Sequence, residues 1–242
     1  MTVVQKIHAL RRELEGRYHL AYERHNLCGR QISVTCVADA EALFSRPIPA
    51  GSSGLETPYD IYPYWACLWS SALVLAQALV SGNHLQPGER VLELGAGLGL
   101  VSAVACMKRA VVTATDYQPD ALKFTRINCL QIAGVEPGVQ ILDWYHPPED
   151  RQYAVLLGSD LIYDPDFYDP LTACFDALLE PEGRVLLSEP NREINRPFFD
   201  QLPDAGWYCE PILEHPDATV YHITRAALSL SGCAGQPSPT SR

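Results

Sequence analysis

Residues 91–99 read V-L-E-L-G-A-G-L-G, an apolar run that breaks into three glycines and leads into a second apolar stretch. A strand that ends in glycines ahead of a helix is the turn of a nucleotide-binding βα unit, where missing Cβ atoms let the backbone approach a ligand. The motif therefore points to a ligand held against a parallel sheet. Its spacing narrows the ligand. Gly95, Gly97 and Gly99 make G-x-G-x-G rather than the G-x-G-x-x-G of dinucleotide sites, and Glu93 stands two residues before the first glycine. A pyrophosphate near that turn would be repelled by Glu93, whereas a phosphate-free, positively charged ligand would be attracted. A second apolar run, V-V-T-A-T at 111–115, ends in Asp116. At the tip of the next strand such a carboxylate can accept both hydroxyls of a ribose.

Beyond Pro87-Gly88 strand-like and helix-like segments alternate, which predicts a doubly wound α/β domain. Strands are expected at 90–94, 111–115, 139–142, 154–159 and 184–188, with helices at 98–108, 119–130 and 167–179. Pro119 and Asp120 suit a helix start, and E-P-E-G at 180–183 reads as a turn that ends one helix and launches the next strand. A helix at 196–202 and strands at 207–213 and 219–225 complete a Rossmann-like, seven-stranded, mostly parallel sheet with an antiparallel final hairpin. Ahead of it, an amphipathic helix at 4–15 and a hairpin pairing 18–24 with 31–37 are expected to cap one end of the sheet. Residues 46–54 are rich in Pro, Gly and Ser and read, with P-Y-D at 58–60, as a flexible connector or lid. The small, polar stretch 229–242 reads as a disordered tail. The expected division is 1–57 cap and loop, 58–228 ligand-binding domain, and 229–242 tail.

Composition excludes several classes. A formal net charge of −11, with no Lys/Arg cluster, disfavours nucleic acid and favours a cationic acceptor or basic protein surface. No apolar run reaches membrane-span length, and residues 5–17 lack the apolar core of a signal peptide, so a cytoplasmic protein is expected. The eight cysteines form no C-x-x-C pair and no zinc spacing; free thiols and no metal are expected.

The chemistry-bearing residues gather at predicted strand ends. Y-P-Y-W-A-C-L-W at 62–69 precedes a helix and can place Trp69 beside the ligand, with Tyr64 and Trp65 toward an opening. Asp143 and Trp144 follow the third strand, where a carboxylate can accept an adenine amino group and an indole can cover the ring. The run L-G-S-D-L-I-Y-D at 157–164 ends the fourth strand, which makes Asp160 and Tyr163 the candidates for the reacting centre, with Ser159 beside the ligand. Asp164, Asp166 and Asp169 read as turn and cap carboxylates. Glu189, Asn191 and Arg192, after the fifth strand, are candidates for the substrate mouth. S-adenosylmethionine meets the demands of the first two motifs: it has no phosphate, and its sulfonium and ammonium are positive.

These motifs resemble the seven-strand, S-adenosylmethionine-dependent methyltransferases of family 16, and among them the lysine methyltransferases of the electron transfer flavoprotein β-subunit and their bacterial relatives. The matching pieces are P-Y-W-A-C-L-W (63–69), E-L-G-A-G-L-G (93–99), D-Y-Q-P-D (116–120), N-C (128–129), L-D-W (142–144), L-G-S-D-L-I-Y-D and V-L-L-S-E-P-N-R (185–192). The resemblance implies that Glu93, Gly95, Asp116, Tyr117 and Trp144, with Trp69, bind the cofactor, and that Asp160 and Tyr163 form the catalytic D-x-x-Y pair. It implies action on a lysine-bearing protein, and a monomer is expected. S-E-P-N-R stands at 188–192 where the lysine enzymes have G-D-P-G-R, and the residues by themselves leave three acceptors open: a protein lysine, a small amine or pyridine nitrogen, or none.

Overall fold

The computed structural model describes residues 1–45, 62–149 and 153–226. Helix α1 (Val3–Glu15) leads into a hairpin of β1 (Leu20–Leu27) and β2 (Arg30–Val37), followed by the short α2 (Glu41–Phe44). The hairpin turns at Cys28 and Gly29, both at positive φ, the geometry that matches a two-residue turn to the twist of its strands. Helix α3 (Ser70–Ser81) precedes the main sheet. Then β3 (Arg90–Leu94), α4 (Leu100–Met107), β4 (Val111–Asp116), α5 (Pro119–Ala133), β5 (Gly138–Ile141), β6 (Tyr153–Ser159), α6 (Tyr168–Leu178) and β7 (Leu179–Glu189) alternate. Helix α7 (Arg196–Gln201) and the antiparallel strands β8 (Trp207–Glu214) and β9 (Thr219–Arg225) follow.

Strand order is β5-β4-β3-β6-β7-β9-β8, parallel from β5 to β7. The order reverses between β3 and β6, and the crevice outside the carboxyl ends of strands at such a reversal is where open α/β sheets hold ligands. Both faces of the central strands β3, β6 and β7 are buried, so apolar residues fill consecutive positions there, whereas the edge strand β5 is exposed. Val91 and Leu157 face the layer of α3, α4 and α5, while Leu92 and Leu156 face that of α6 and α7. Largest among the fully buried side chains are Trp207, Phe124, Phe175 and Phe198.

One expectation is made specific and one is corrected. The expected N-terminal cap forms a third layer on the helices, with α1 and β2 packed on α5 and β1 on α3. Polar anchors at α5 fix that position: Tyr18 Oη donates to Asp120 at 2.7 Å, and Asn128 exchanges hydrogen bonds with the backbone of Thr35. The E-P-E-G segment is part of β7, whose pairing with β6 slips between Tyr153 and Val155 to accommodate it. The expected connector at 46–54 and tail at 229–242 lie outside the described residues. No described helix is long and apolar enough to cross a membrane.

Candidate active site

A cavity of about 650 Å³ lies at the β3/β6 reversal. Its floor is the glycine turn. Gly95, Gly97 and Gly99 have φ of 61, 53 and 77°, and Gly99 caps the N-terminus of α4. A Cβ on Gly99 would sit 2.6 Å from Thr125 Cα, so the turn can lie on α5 only without a side chain. Asp116, at the tip of β4, accepts the Gly97 N–H at 2.9 Å through one oxygen and the Gln118 N–H at 2.8 Å through the other. Glu93 accepts the Ser102 N–H at 2.9 Å and the Ser102 hydroxyl.

Two carboxylates are thus held in one buried crevice. Burial pushes Glu93 up to about 8, against the lowering effect of the Ser102 hydrogen bonds, and the neighbouring Asp116 raises it further. Burial also pushes Asp116 up to about 6, partly offset by its backbone hydrogen bonds. A cation entering this crevice stabilises both charged forms; a phosphate would face them unpaired. The cavity's donor set fits S-adenosylmethionine, since Asp116 keeps lone pairs for ribose hydroxyls after accepting two N–H groups.

Aromatic side chains build the walls. Trp144 lines the cavity edge-on to Phe167 (centroids 5.3 Å apart), close enough to Gly95 that an added Cβ would lie 3.3 Å from its ring. Tyr163 packs against Phe167 at 5.1 Å and against Tyr64 at 5.3 Å, and Trp69 Nε1 donates to the Tyr64 carbonyl at 3.0 Å. Tyr62, Tyr117 and Tyr145 are 41, 53 and 48% exposed, which marks the rim as open to solvent.

The loop after β6 is fixed from below. Asp160 takes φ 56°, an uncommon left-handed conformation for a residue with a side chain, and donates its N–H to the Ser188 carbonyl at 2.9 Å. Glu189 accepts the Leu161 N–H at 2.8 Å and the Ile162 N–H at 3.3 Å, and Asn195 Nδ2 donates to it at 3.0 Å. Burial holds Glu189 well above the usual carboxylate range.

The structure brings Trp69, Glu93, Gly95, Gly97, Gly99, Asp116, Tyr117, Asp143, Trp144, Ser159, Asp160, Tyr163 and Tyr64 to this one cavity. Four candidates sit differently from their expected places. Trp65 contributes backbone over Gly97, but its ring packs on Tyr18 and Phe124 at 5.6 and 5.5 Å, because the third layer offers it an apolar seat. Glu189 is buried beneath the D-x-x-Y loop and Asn191 donates to the His215 carbonyl at 3.1 Å, so neither lines the cavity. Arg192 reaches Asp160 instead of the rim, with Nη1 donating to Oδ1 at 3.0 Å. Asp143, though at the cavity, also accepts the Tyr145 N–H at 3.0 Å and pairs with His146 at 2.8 Å. Sequence reading missed Ser102, Asn195 and Phe167; Ser102 stands nine residues after Glu93, a separation that carries no signal until α4 folds back.

Residues 65–205 match the family described as lysine methyltransferase. The chain belongs to that family. It is thus an S-adenosylmethionine-dependent methyltransferase, in keeping with the carboxylate-lined crevice. A histone-arginine methyltransferase of Mus musculus is 26% identical over 73% of this chain and 70% of its own length. The electron transfer flavoprotein beta subunit lysine methyltransferase of Danio rerio is 28% identical over 59% of this chain and 60% of its own length. Among solved structures, the ribosomal protein L11 methylase of Lactobacillus delbrueckii shares the fold, with a TM-score of 0.54 at 18% identity over 65% of this chain and 79% of that one.

Proposed function

We propose that this chain methylates the side-chain amine of a lysine in a protein substrate. The carrying observation is that Asp160 and Tyr163 line the same cavity as Glu93 and Asp116, so an acceptor group and a cationic donor share one crevice. Bound S-adenosylmethionine supplies a methyl carbon made electrophilic by its sulfonium. Glu93 and Asp116 favour the donor's positive charge, and Asp116 has lone pairs for its ribose. Trp144 and Phe167 give an apolar wall suited to an adenine. Tyr163, packed on Phe167, and Tyr64 beside it continue that wall to a narrow passage, where a long, flexible side chain is lined up for an in-line displacement at about 3 to 3.5 Å. Lysine has a pKa of about 10.4 and must lose a proton before attack; an aromatic, water-poor passage lowers that value, and the proton leaves to water.

Two relatives differ in the acceptor their names give, arginine in one and lysine in the other. The family description and the D-x-x-Y pair support lysine. A tyrosine-rimmed cavity open to solvent, on a chain of net charge −11, suits a basic protein surface and disfavours nucleic acid. We place the protein in the cytoplasm, a reading that the free thiols at Cys36, Cys106, Cys129 and Cys174 support, and propose that it acts as a monomer. Incubating the purified chain with methyl-labelled S-adenosylmethionine and cell lysate tests the reading. Labelled protein bands carrying methyl-lysine by mass spectrometry support it. Label confined to small molecules, or methyl-arginine alone, overturns it.

A further inference from the structure

The loop after β7 places a guanidinium on the one carboxylate that the acceptor amine would meet. Arg192 grips Asp160 with both nitrogens, Nη1 to Oδ1 at 3.0 Å and Nη2 to Oδ2 at 3.3 Å. The Asp160 side chain is 5% exposed and that of Arg192 43%, so the carboxylate lies almost buried in the cavity wall while its partner reaches solvent. Neither end is free to drift. Asp160 is pinned through its N–H to Ser188, and the Leu161 and Ile162 N–H groups are held by Glu189. The Arg192 N–H donates to the Pro190 carbonyl at 2.7 Å, and Asn191 is tied to the β8–β9 turn through the His215 carbonyl and Thr219.

Charge explains why such a pair belongs here. A bare carboxylate beside an amine stabilises the ammonium form by about one to three pKa units, and an ammonium has no lone pair with which to attack a methyl group. Asp160 alone would capture the acceptor in its unreactive state. Other ionisable groups share its cavity or its loop: Glu189 at the end of β7, Tyr163 and Asp164 on its own loop, Tyr64 from the turn before α3, Glu93 and Asp116 at the tips of β3 and β4, and Asp143 with His146 after β5. His146 is turned to Asp143 at 2.8 Å, and Arg192 is the cation that the structure sets on Asp160. Burial raises the Asp160 carboxyl and the guanidinium pulls it back down. A bidentate arginine uses one lone pair on each oxygen, which leaves acceptor capacity for an N–H from a neutral amine.

We propose that Arg192 is a positioning residue that neutralises Asp160, so that the D-x-x-Y loop receives the acceptor as an uncharged amine. The proposal rests on the lysine-methylation reading above. Its test uses the full chain with Arg192→Gln and Arg192→Lys. Two measurements are made: label transferred from S-adenosylmethionine into heat-inactivated lysate protein as a function of pH, and titration of the Asp160 carboxyl by ¹³C NMR without donor or acceptor. For Arg192→Gln, the acidic limb of the transfer rate is expected to move up by about one pH unit, with the Asp160 titration moving the same way. Arg192→Lys restores most of both. A uniform loss of rate with the limb and the carboxyl titration unmoved would reduce Arg192 to a structural brace and overturn the proposal. If the unaltered chain labels no protein, the lysine reading falls; the carboxyl titration still decides whether Arg192 neutralises Asp160.

Discussion

Glu93 shows most sharply what single residues do here. Its carboxyl is raised by burial from an ordinary 4.5 to about 8 in the folded chain. The folded state therefore binds this proton more tightly than the unfolded state, and stability falls as pH rises from about 4.5 to about 8. Glu93→Gln removes that titration. In urea unfolding of the ligand-free protein, the stability of the wild type relative to the variant is expected to decline from pH 5 to pH 8; a constant difference would contradict the burial argument. Gly99 makes the steric counterpart. An alanine there meets the Thr125 backbone at 2.6 Å and must keep φ 77°, which is expected to cost roughly 2 to 4 kcal/mol in the same unfolding measurement. The glycines, Glu93 and Asp116 were legible because their chemistry follows from local spacing. Trp65, Glu189 and Arg192 were not, because their partners Tyr18, Leu161 and Asp160 lie far from them in sequence or across a loop, and no periodicity reports such meetings.

At the scale of elements, Asn128 ties three pieces together. It accepts the Thr35 N–H at 2.7 Å and donates to the carbonyls of Thr35 at 3.0 Å and Leu98 at 2.8 Å, all fully buried. Helix α5 thereby holds both the N-terminal hairpin and the glycine turn. Asn128→Ala strands three backbone groups away from water and is expected to cost about 3 kcal/mol. Hydrogen exchange is expected to show the β1–β2 amides losing protection while β3, β6 and β7 keep theirs; uniform loss across both sheets would contradict this. The alternation of strands and helices was legible to within a few residues, with β3 and β9 at their expected bounds. The slip inside β7 was not, since E-P-E-G carries turn residues that β6 pairing overrides. The seat of the hairpin on α5 was equally hidden: it depends on Asp120, which reads locally as part of a helix start, and on Asn128, which entered only as part of the N-C piece of the family resemblance.

For the whole molecule, the sheet reversal between β3 and β6 decides where function sits. It gathers the tips of β3, β4 and β6 with the loops after β5 and β6 around one crevice, and the helix layers bury the central strands on both faces. Two buried carboxyl groups make this crevice a seat for a phosphate-free, cationic adenosyl donor. The decisive experiment is calorimetric titration of the ligand-stripped protein with S-adenosylmethionine, beside ATP as a phosphate-bearing adenosine control. Saturable one-to-one heat is expected with the former, at least tenfold weaker binding by Asp116→Asn, and no saturable heat with ATP. Absence of heat with S-adenosylmethionine, or equal affinity for ATP, would contradict it.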